Sequence, residues 1–459
     1  MTSMFPRSTL FLFVLGPPNL RQRVVCLRIS PRSGGPGALS FYELRGYHWS
    51  MKRVLIFSLT YHPFIGGAEV AIKEITDRLE PSEFSFDMIT LRFNSNLPRI
   101  EKMGNVTVHR IGFSSPGAKV SDRSMPFVCK VAKALFPFAA FFKALLLNRK
   151  KPQGDALRLF WKRGKYDVVW AMMANQAGSA ALFFKWMHPK VRYILELQDG
   201  RPFAQMKDRR PLLRLVWPLY RRIYLKADMI KCISLFIASE VRQLGFRGSV
   251  RVIPNGVDVQ KFSAPIPSSR LEELKNTYNK KPGDIFLFTA SRLVLSRGVE
   301  DVIQALAKLP SNVKFLIAGE GDDREKLEHI ARRLEVGNRV IFAGYVSHEE
   351  LPAYLGISDI FVRPSIIEGM GNAFIEAFAA GVPVIGTPVG GILDFLTEGE
   401  TGLFCKVRDP QSIVDAVEWY LDDASLRARV IANAKKLAAE KYDWSLIARD
   451  MKDKIFTTI

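Results

Sequence analysis

The 459-residue chain has only four cysteines, Cys26, Cys129, Cys232 and Cys405, far apart and with no C-x-x-C pair. That spacing suggests neither a metal nor a redox site and fits a reducing cytosol. Histidine is scarce too, six in all with no H-x-x-x-H pattern, so no dedicated zinc site is expected. No run approaches the ~18 uninterrupted apolar residues of a spanning helix. The apolar run from Leu10 to Leu15 is too short, and no A-x-A-like cleavage site follows it. Acidic residues are in deficit, 45 against 66 basic ones, for a net charge of +21. Such an excess implies an anionic partner: nucleic acid, an anionic membrane or a phosphorylated substrate. No nucleic-acid recognition motif accompanies it, so nucleic acid is not an expected partner. With 48% hydrophobic residues and charges spread throughout, the chain is globular.

What is present is a repeated alternation of short apolar runs and helical stretches. Residues 1–50 are rich in Arg, Pro, Gly and Ser, show no periodicity, and read as a disordered or misannotated extension. From Arg53 a buried-strand pattern begins, followed by a loop with a Gly pair, Gly66-Gly67, and a helix from Val70. Strands recur at 86–91, 106–111, 166–171, 192–197 and 229–233. After Ile253-Pro254-Asn255-Gly256-Val257-Asp258 and a linker region at 261–284, a second series has strands at 285–290, 313–318, 340–343, 360–363 and 382–386. The expectation is an α/β protein of two tandem Rossmann-like, doubly wound domains, 51–260 and 285–440. They face each other across a cleft, and a final helix lies in 441–459.

The most informative stretch is Arg363-Pro364-Ser365-Ile366-Ile367-Glu368-Gly369-Met370-Gly371-Asn372-Ala373-Phe374-Ile375-Glu376-Ala377. A strand runs into a two-glycine loop, and a helix begins near Asn372. Free backbone N–H groups at such a helix N-terminus form an anion site suited to a diphosphate. Glu368 before the loop and Glu376 one turn into the helix can accept hydrogen bonds from sugar or ribose hydroxyls. On spacing alone, Glu376 could equally answer the helix dipole and Glu368 be a surface charge.

Together with Ala379-Ala380-Gly381-Val382-Pro383-Val384-Ile385, this stretch resembles the signature of retaining family 4 glycosyltransferases, in which two Glu are separated by seven residues. The likeness covers roughly 51–459 and includes 253–258, the 315–321 strand and glycine loop, and the segments at 390–391 and 402–403. The resemblance implies a metal-independent enzyme of the GT-B type that needs no cofactor and takes a nucleotide-diphosphate sugar as donor. Glu376 would bind the ribose. Glu368 would contact the donor sugar and the charge developing at its anomeric carbon. Arg292 and Arg297 would grip the diphosphate, Arg297 standing where relatives usually carry Lys. Gly66, Gly67, Gly319, Gly369, Met370, Gly371 and Asn372 would complete the donor site, with Val346 against the base. Gln198, with Asp199 next to it on the acceptor side, holds a place where relatives often carry His and cannot titrate. The final helix would cross back to the first domain.

Basic residues interleave with apolar ones at 127–165 and 209–226, as in helices that lie on anionic membranes. A peripheral enzyme of polysaccharide or cell-envelope synthesis, cytoplasmic and using a glycan or lipid-linked acceptor, is the expectation. A non-catalytic sugar-nucleotide binder and an epimerase on the same fold are the alternatives.

Overall fold

The computed structural model describes residues 10–15, 23–28, 51–64, 66–118, 125–149, 164–203 and 216–458. Within 1–50, strands β1 (Leu10–Leu15) and β2 (Arg23–Arg28) form an antiparallel pair. The remainder of that extension lies outside the described residues.

The first domain runs through β3 (Lys52–Phe57), α1 (Gly67–Asp77), β4 (Phe84–Leu91), β5 (Ile100–Met103), β6 (Val106–Ile111) and α2 (Phe127–Asn148). It continues with β7 (Val168–Met172), α3 (Gln176–Met187), β8 (Arg192–Leu197), α4 (Trp217–Leu225), β9 (Met229–Cys232), α5 (Leu235–Gln243) and β10 (Ser249–Val252). Its sheet has the order β10-β9-β8-β7-β3-β4-β6-β5. The β10–β9–β8–β7–β3 and β4–β6 pairings are parallel, and the edge strand β5 is antiparallel to its neighbour β6. Central strands are apolar because helices cover both faces: Val54 to Phe57 are fully buried.

Helices α6 (Val259–Ser263) and α7 (Ser268–Thr277) follow, so the stretch read as a linker is partly helical. The second domain then comprises β11 (Ile285–Ala290), α8 (Val299–Leu306), β12 (Val313–Ala318), α9 (Arg324–Arg333), β13 (Val340–Gly344), α10 (Leu351–Gly356), β14 (Ile360–Arg363) and α11 (Asn372–Ala380). It closes with β15 (Val384–Gly386), β16 (Leu403–Phe404), α12 (Pro410–Asp422) and α13 (Ala424–Lys441). All its strands are parallel, in the order β13-β12-β11-β14-β15-β16. This is the reversal of strand order at which α/β proteins bind ligands.

The last helix, α14 (Trp444–Met451), leaves the second domain. Trp444, Ile447, Met451, Ile455 and Phe456 pack among Val54, Ile56, Phe84, Phe86 and Trp170 of the first sheet. The crossing is fixed where Val257 N donates to Tyr442 O at 2.7 Å and Trp444 N donates to Val257 O at 3.2 Å. A third tie is Leu235 N, at the start of α5, donating to Asp394 Oδ2 at 2.7 Å. Phe456 is fully buried, its ring 5.5 Å from Trp170, 5.6 Å from Phe84 and 6.2 Å from Phe86. Phe456→Ala leaves a cavity in that cluster and is expected to lower the unfolding free energy by about 3–5 kcal/mol. Urea titration measures this, and a loss below about 1 kcal/mol would show that α14 does not anchor the first domain.

Candidate active site

The loop after β14 turns back on one carboxylate. Glu368 Oε2 accepts from Arg297 Nη1 at 2.5 Å and Arg363 Nη2 at 2.6 Å, while Oε1 accepts from Gly369 N at 3.2 Å. Glu368 is 7% exposed. Burial by itself would raise its pKa, but Arg363 and Arg297 hold the carboxyl below its ordinary range. Burial draws the Arg363 guanidinium below its ordinary value, against the pull of Glu368. Arg363 ends an apolar strand, and nothing in its sequence context signals that its guanidinium turns onto Glu368.

Gly371 opens α11 at φ 95°, a left-handed conformation, and a Cβ there would lie 2.9 Å from Arg363 Nη2 and 2.8 Å from Phe374. The first N–H groups of the helix, which have no intrahelical partner, therefore begin beside the Glu368 cluster. One turn on, Glu376 Oε1 meets His348 Nε2 at 3.2 Å, and His348 Nδ1 lies 3.5 Å from Lys261 Nζ. Burial would lower the His348 pKa, but the hydrogen bond and charge of Glu376 outweigh it and hold the ring above its ordinary value. Val346, two residues earlier, is half-buried against the core. Gly319, just beyond β12, donates its N–H to Gly344 O at 2.6 Å, which sets it beside the same segment.

The first domain supplies the facing wall. A Cβ on Gly67 would lie 3.5 Å from Gln198 Oε1, 3.6 Å from Asn372 Nδ2 and 3.7 Å from Asn255 Nδ2, so these residues converge from both domains. Gly66 has Glu69 folded over it: a Cβ would lie 2.7 Å from Glu69 Oε2. Glu69 is 8% exposed and accepts from the Thr60 hydroxyl. Burial pushes its carboxyl up, and the opposing causes include Arg292 of the second domain. Arg292 is exposed, beyond the end of β11. Gly200 approaches Gly369 so closely that a Cβ on Gly200 would lie 2.3 Å from Gly369 N. No side chain fits there.

Two expected site residues, Met370 of the donor set and Asp199 of the acceptor side, line cavities outside the Glu368 cluster. The Met370 side chain is buried, and its sulfur accepts from Asn255 N at 3.3 Å. It lines a cavity of about 450 Å³ at the interdomain crossing with Pro254, Asp394 and Tyr442. Asp199 pairs with Arg201 and lines a separate cavity of about 410 Å³ with Asn175, Ser179, Tyr220, Phe236 and Glu240. Gln198, its neighbour just beyond β8, instead turns toward Glu196 and Asn255.

Residues 65–261 match the Glycosyltransferase Family 4 domain, and residues 271–437 match the Glycosyl transferases group 1 domain. An uncharacterized glycosyltransferase of Methanocaldococcus jannaschii is 32% identical over 405 residues, 87% of this chain and 96% of the relative. The chain belongs to the group 1 glycosyltransferases. It is therefore a transferase enzyme, and its two domains have the GT-B arrangement. Sucrose-phosphate synthase from Thermosynechococcus elongatus superposes with a TM-score of 0.71 at 20% identity, over 89% of this chain and 100% of that one. Anabaena HepE in complex with UDP and glucose superposes with a TM-score of 0.66 at 19% identity, over 88% and 100%.

His348 and Glu376 make a pH-dependent pair. Because the folded histidine pKa is raised, the stabilisation is fully present below 6.5, its ordinary value, and is lost as pH rises through the raised one. The Tm advantage of the wild-type glycosyltransferase over His348→Gln is thus largest near pH 6 and shrinks above it. An advantage that stayed constant to about pH 9 would show that the pair's charge plays no part.

Proposed function

We propose that this glycosyltransferase is a retaining, metal-independent enzyme that moves a sugar from a nucleoside diphosphate to a glycan or lipid-linked acceptor. The observation that carries the reading is Glu368 held ionised between Arg297 and Arg363 beside the start of α11, with Glu376 one turn further on. A diphosphate at that helix N-terminus meets backbone N–H groups, Arg297 held by Glu368, and the exposed Arg292. These stabilise the charge that builds on the leaving phosphate, the task a metal performs in other transferases. Glu376 accepts from ribose hydroxyls once His348 yields to the ligand. The UDP and glucose in the HepE complex support a nucleotide-sugar donor on this fold.

In the reaction the bond from the anomeric carbon to the phosphate oxygen breaks as the acceptor oxygen bonds to the same face of that carbon. The acceptor's proton passes to the departing phosphate oxygen. Gln198, which lines the cleft beside Gly67, does not titrate and so orients rather than removes a proton. Glu368 offsets the positive charge of the sugar ring.

Helix α2 suggests where the acceptor is met. It is long and apolar enough, by length and composition, to cross a membrane. Cys129, Ala132, Phe136, Ala140 and Ala144 bury one face, whereas Phe127, Leu135, Phe138, Phe142 and Leu146 are exposed on the other. Phe138 stacks on Phe183 of α3, and Trp186 and Met187 extend the apolar surface. Lys130 and Arg149 stand exposed near its two ends. An apolar face bounded by cations fits a half-inserted helix on an anionic leaflet at the cytoplasmic side. Of the basic residues in the flanking clusters, Lys150, Lys151, Arg158, Lys162, Arg163, Arg209, Arg210 and Arg214 lie outside the described residues.

Two measurements test these readings. UDP, GDP and ADP are compared by thermal shift without metal; one of them is expected to raise Tm, and Glu376→Ala to abolish the rise. No shift with any of the three would count against the donor site. For the membrane, the protein is expected to sediment with vesicles of mixed neutral and anionic phospholipid at low salt. Phe138→Asp/Phe142→Asp should reduce the bound fraction at least about tenfold. Equal binding by both proteins would remove α2 from the membrane contact.

A further inference from the structure

Among the described residues of the first domain one ion pair is completely buried. Lys231 Nζ donates to Glu196 Oε1 at 2.6 Å, and both side chains have no exposure to solvent. The two residues face each other in register on β9 and β8. Removing two charges from water is costly, and such a pair adds little net stability compared with apolar residues of the same size. Its use is sought in what it touches.

Glu196 has both oxygens engaged. Oε2 accepts from Trp170 Nε1 at 3.0 Å, and Oε1, besides Lys231, accepts from Gln198 Nε2 at 2.7 Å. A carboxylate only accepts, so the NH2 of Gln198 must face it and the carbonyl must face away. Gln198 and Asn255 then pair as two amides: Gln198 Nε2 donates to Asn255 Oδ1 at 3.3 Å, and Asn255 Nδ2 donates to Gln198 Oε1 at 3.1 Å. The second hydrogen of Asn255 Nδ2 goes to Asn372 Oδ1 at 3.4 Å, across to the second domain. Each amide fixes the next. With its carbonyl used by Asn255, Asn372 turns its NH2 to the Gly67 side of the cleft.

We propose that the Lys231–Glu196 pair acts as a polarity lock. Through Gln198 and Asn255 it sets the direction of an amide relay spanning both domains, so that Asn372, the first residue of α11, presents a hydrogen-bond donor to the diphosphate of the nucleotide. This rests on the donor-site reading above. The group recognised is an anionic oxygen, which takes only donors. Lys231, Glu196, Gln198 and Asn255 are positioning residues in this respect.

The relay can be reversed on paper. In Glu196→Gln/Lys231→Met the Trp170 N–H still demands an oxygen at its end of residue 196, which turns the new NH2 toward Gln198. Gln198 must then flip, Asn255 with it, and Asn372 last, leaving the Asn372 carbonyl facing phosphate.

The test is a double-mutant cycle read by calorimetric titration with UDP, GDP and ADP, of which the wild type selects one, and with the matching nucleoside. Asn372→Ala alone is expected to weaken the diphosphate about tenfold and leave the nucleoside unchanged. Glu196→Gln/Lys231→Met weakens the diphosphate by at least as much, again sparing the nucleoside. Adding Asn372→Ala to that variant costs nothing further or restores affinity, because the residue it removes has become repulsive. Independent, multiplying losses, or equal losses for nucleoside and diphosphate, would overturn the lock. Should the core variant not fold, the side-chain amide resonance of Asn372 in the wild type decides: it shifts on adding the diphosphate and not the nucleoside, and an unmoved resonance overturns the proposal. A wild type that binds none of the three nucleotides overturns the donor-site reading itself, and the lock with it.

Discussion

Two parallel sheets turn toward each other at a separation that only backbone can fill. Gly200 of the first domain and Gly369 of the second stand so near that neither could carry a side chain, and Gly369 also abuts Gln198 O. Everything chemical in the protein is arranged around that approach. It brings the Glu368 loop under the end of β8. It lets Asn255, in the segment joining the domains, bond to side chains on both sides. Arg292 also comes within electrostatic reach of Glu69. A bulkier residue at this point would hold the sheets apart and break each of these contacts at once.

The charges in the cleft are managed by pairing rather than by exposure. Glu368 shares two guanidiniums, Glu376 is matched with His348, and Glu69 accepts from the Thr60 hydroxyl. Each carboxylate is thus held in place before a ligand arrives. An anionic, polyhydroxylated ligand can exchange its own oxygens for those partners one by one. The ties of Glu368 and Glu376 lie on the second-domain side of the cleft. The first domain holds a cavity with Tyr220, Phe236, Asn175 and Ser179 on its walls.

Much of this was legible in the sequence. Fully buried parallel strands write themselves as apolar β-branched runs, so 285–290, 313–318 and 360–363 coincide with β11, β12 and β14. The glycine-rich turn into α11 was legible because its chemistry is local. What escaped was amphipathic or non-local. Strand β5 alternates exposed and half-buried residues at the sheet's edge, and β10 is partly exposed, so neither makes an apolar run. Helix α7 hides in a Ser- and Lys-rich stretch because it buries only Leu274. Asn255 reads as a turn residue, and its role depends on partners 57 and 117 residues away. Glu196 and Lys231 did leave a trace, one charge of each sign inside two apolar strands. Only register reveals that they meet.

The crossing of α14 also has a bearing on how the protein is made. The first sheet's face at Phe84, Phe86 and Trp170 is closed by Ile455 and Phe456, which leave the ribosome after the whole second domain. The first domain cannot therefore mature as an independent unit during synthesis, as domains in series commonly do. It waits with an aromatic face uncovered while the second assembles. A chain stalled before Trp444 would lack the residues that cover that face.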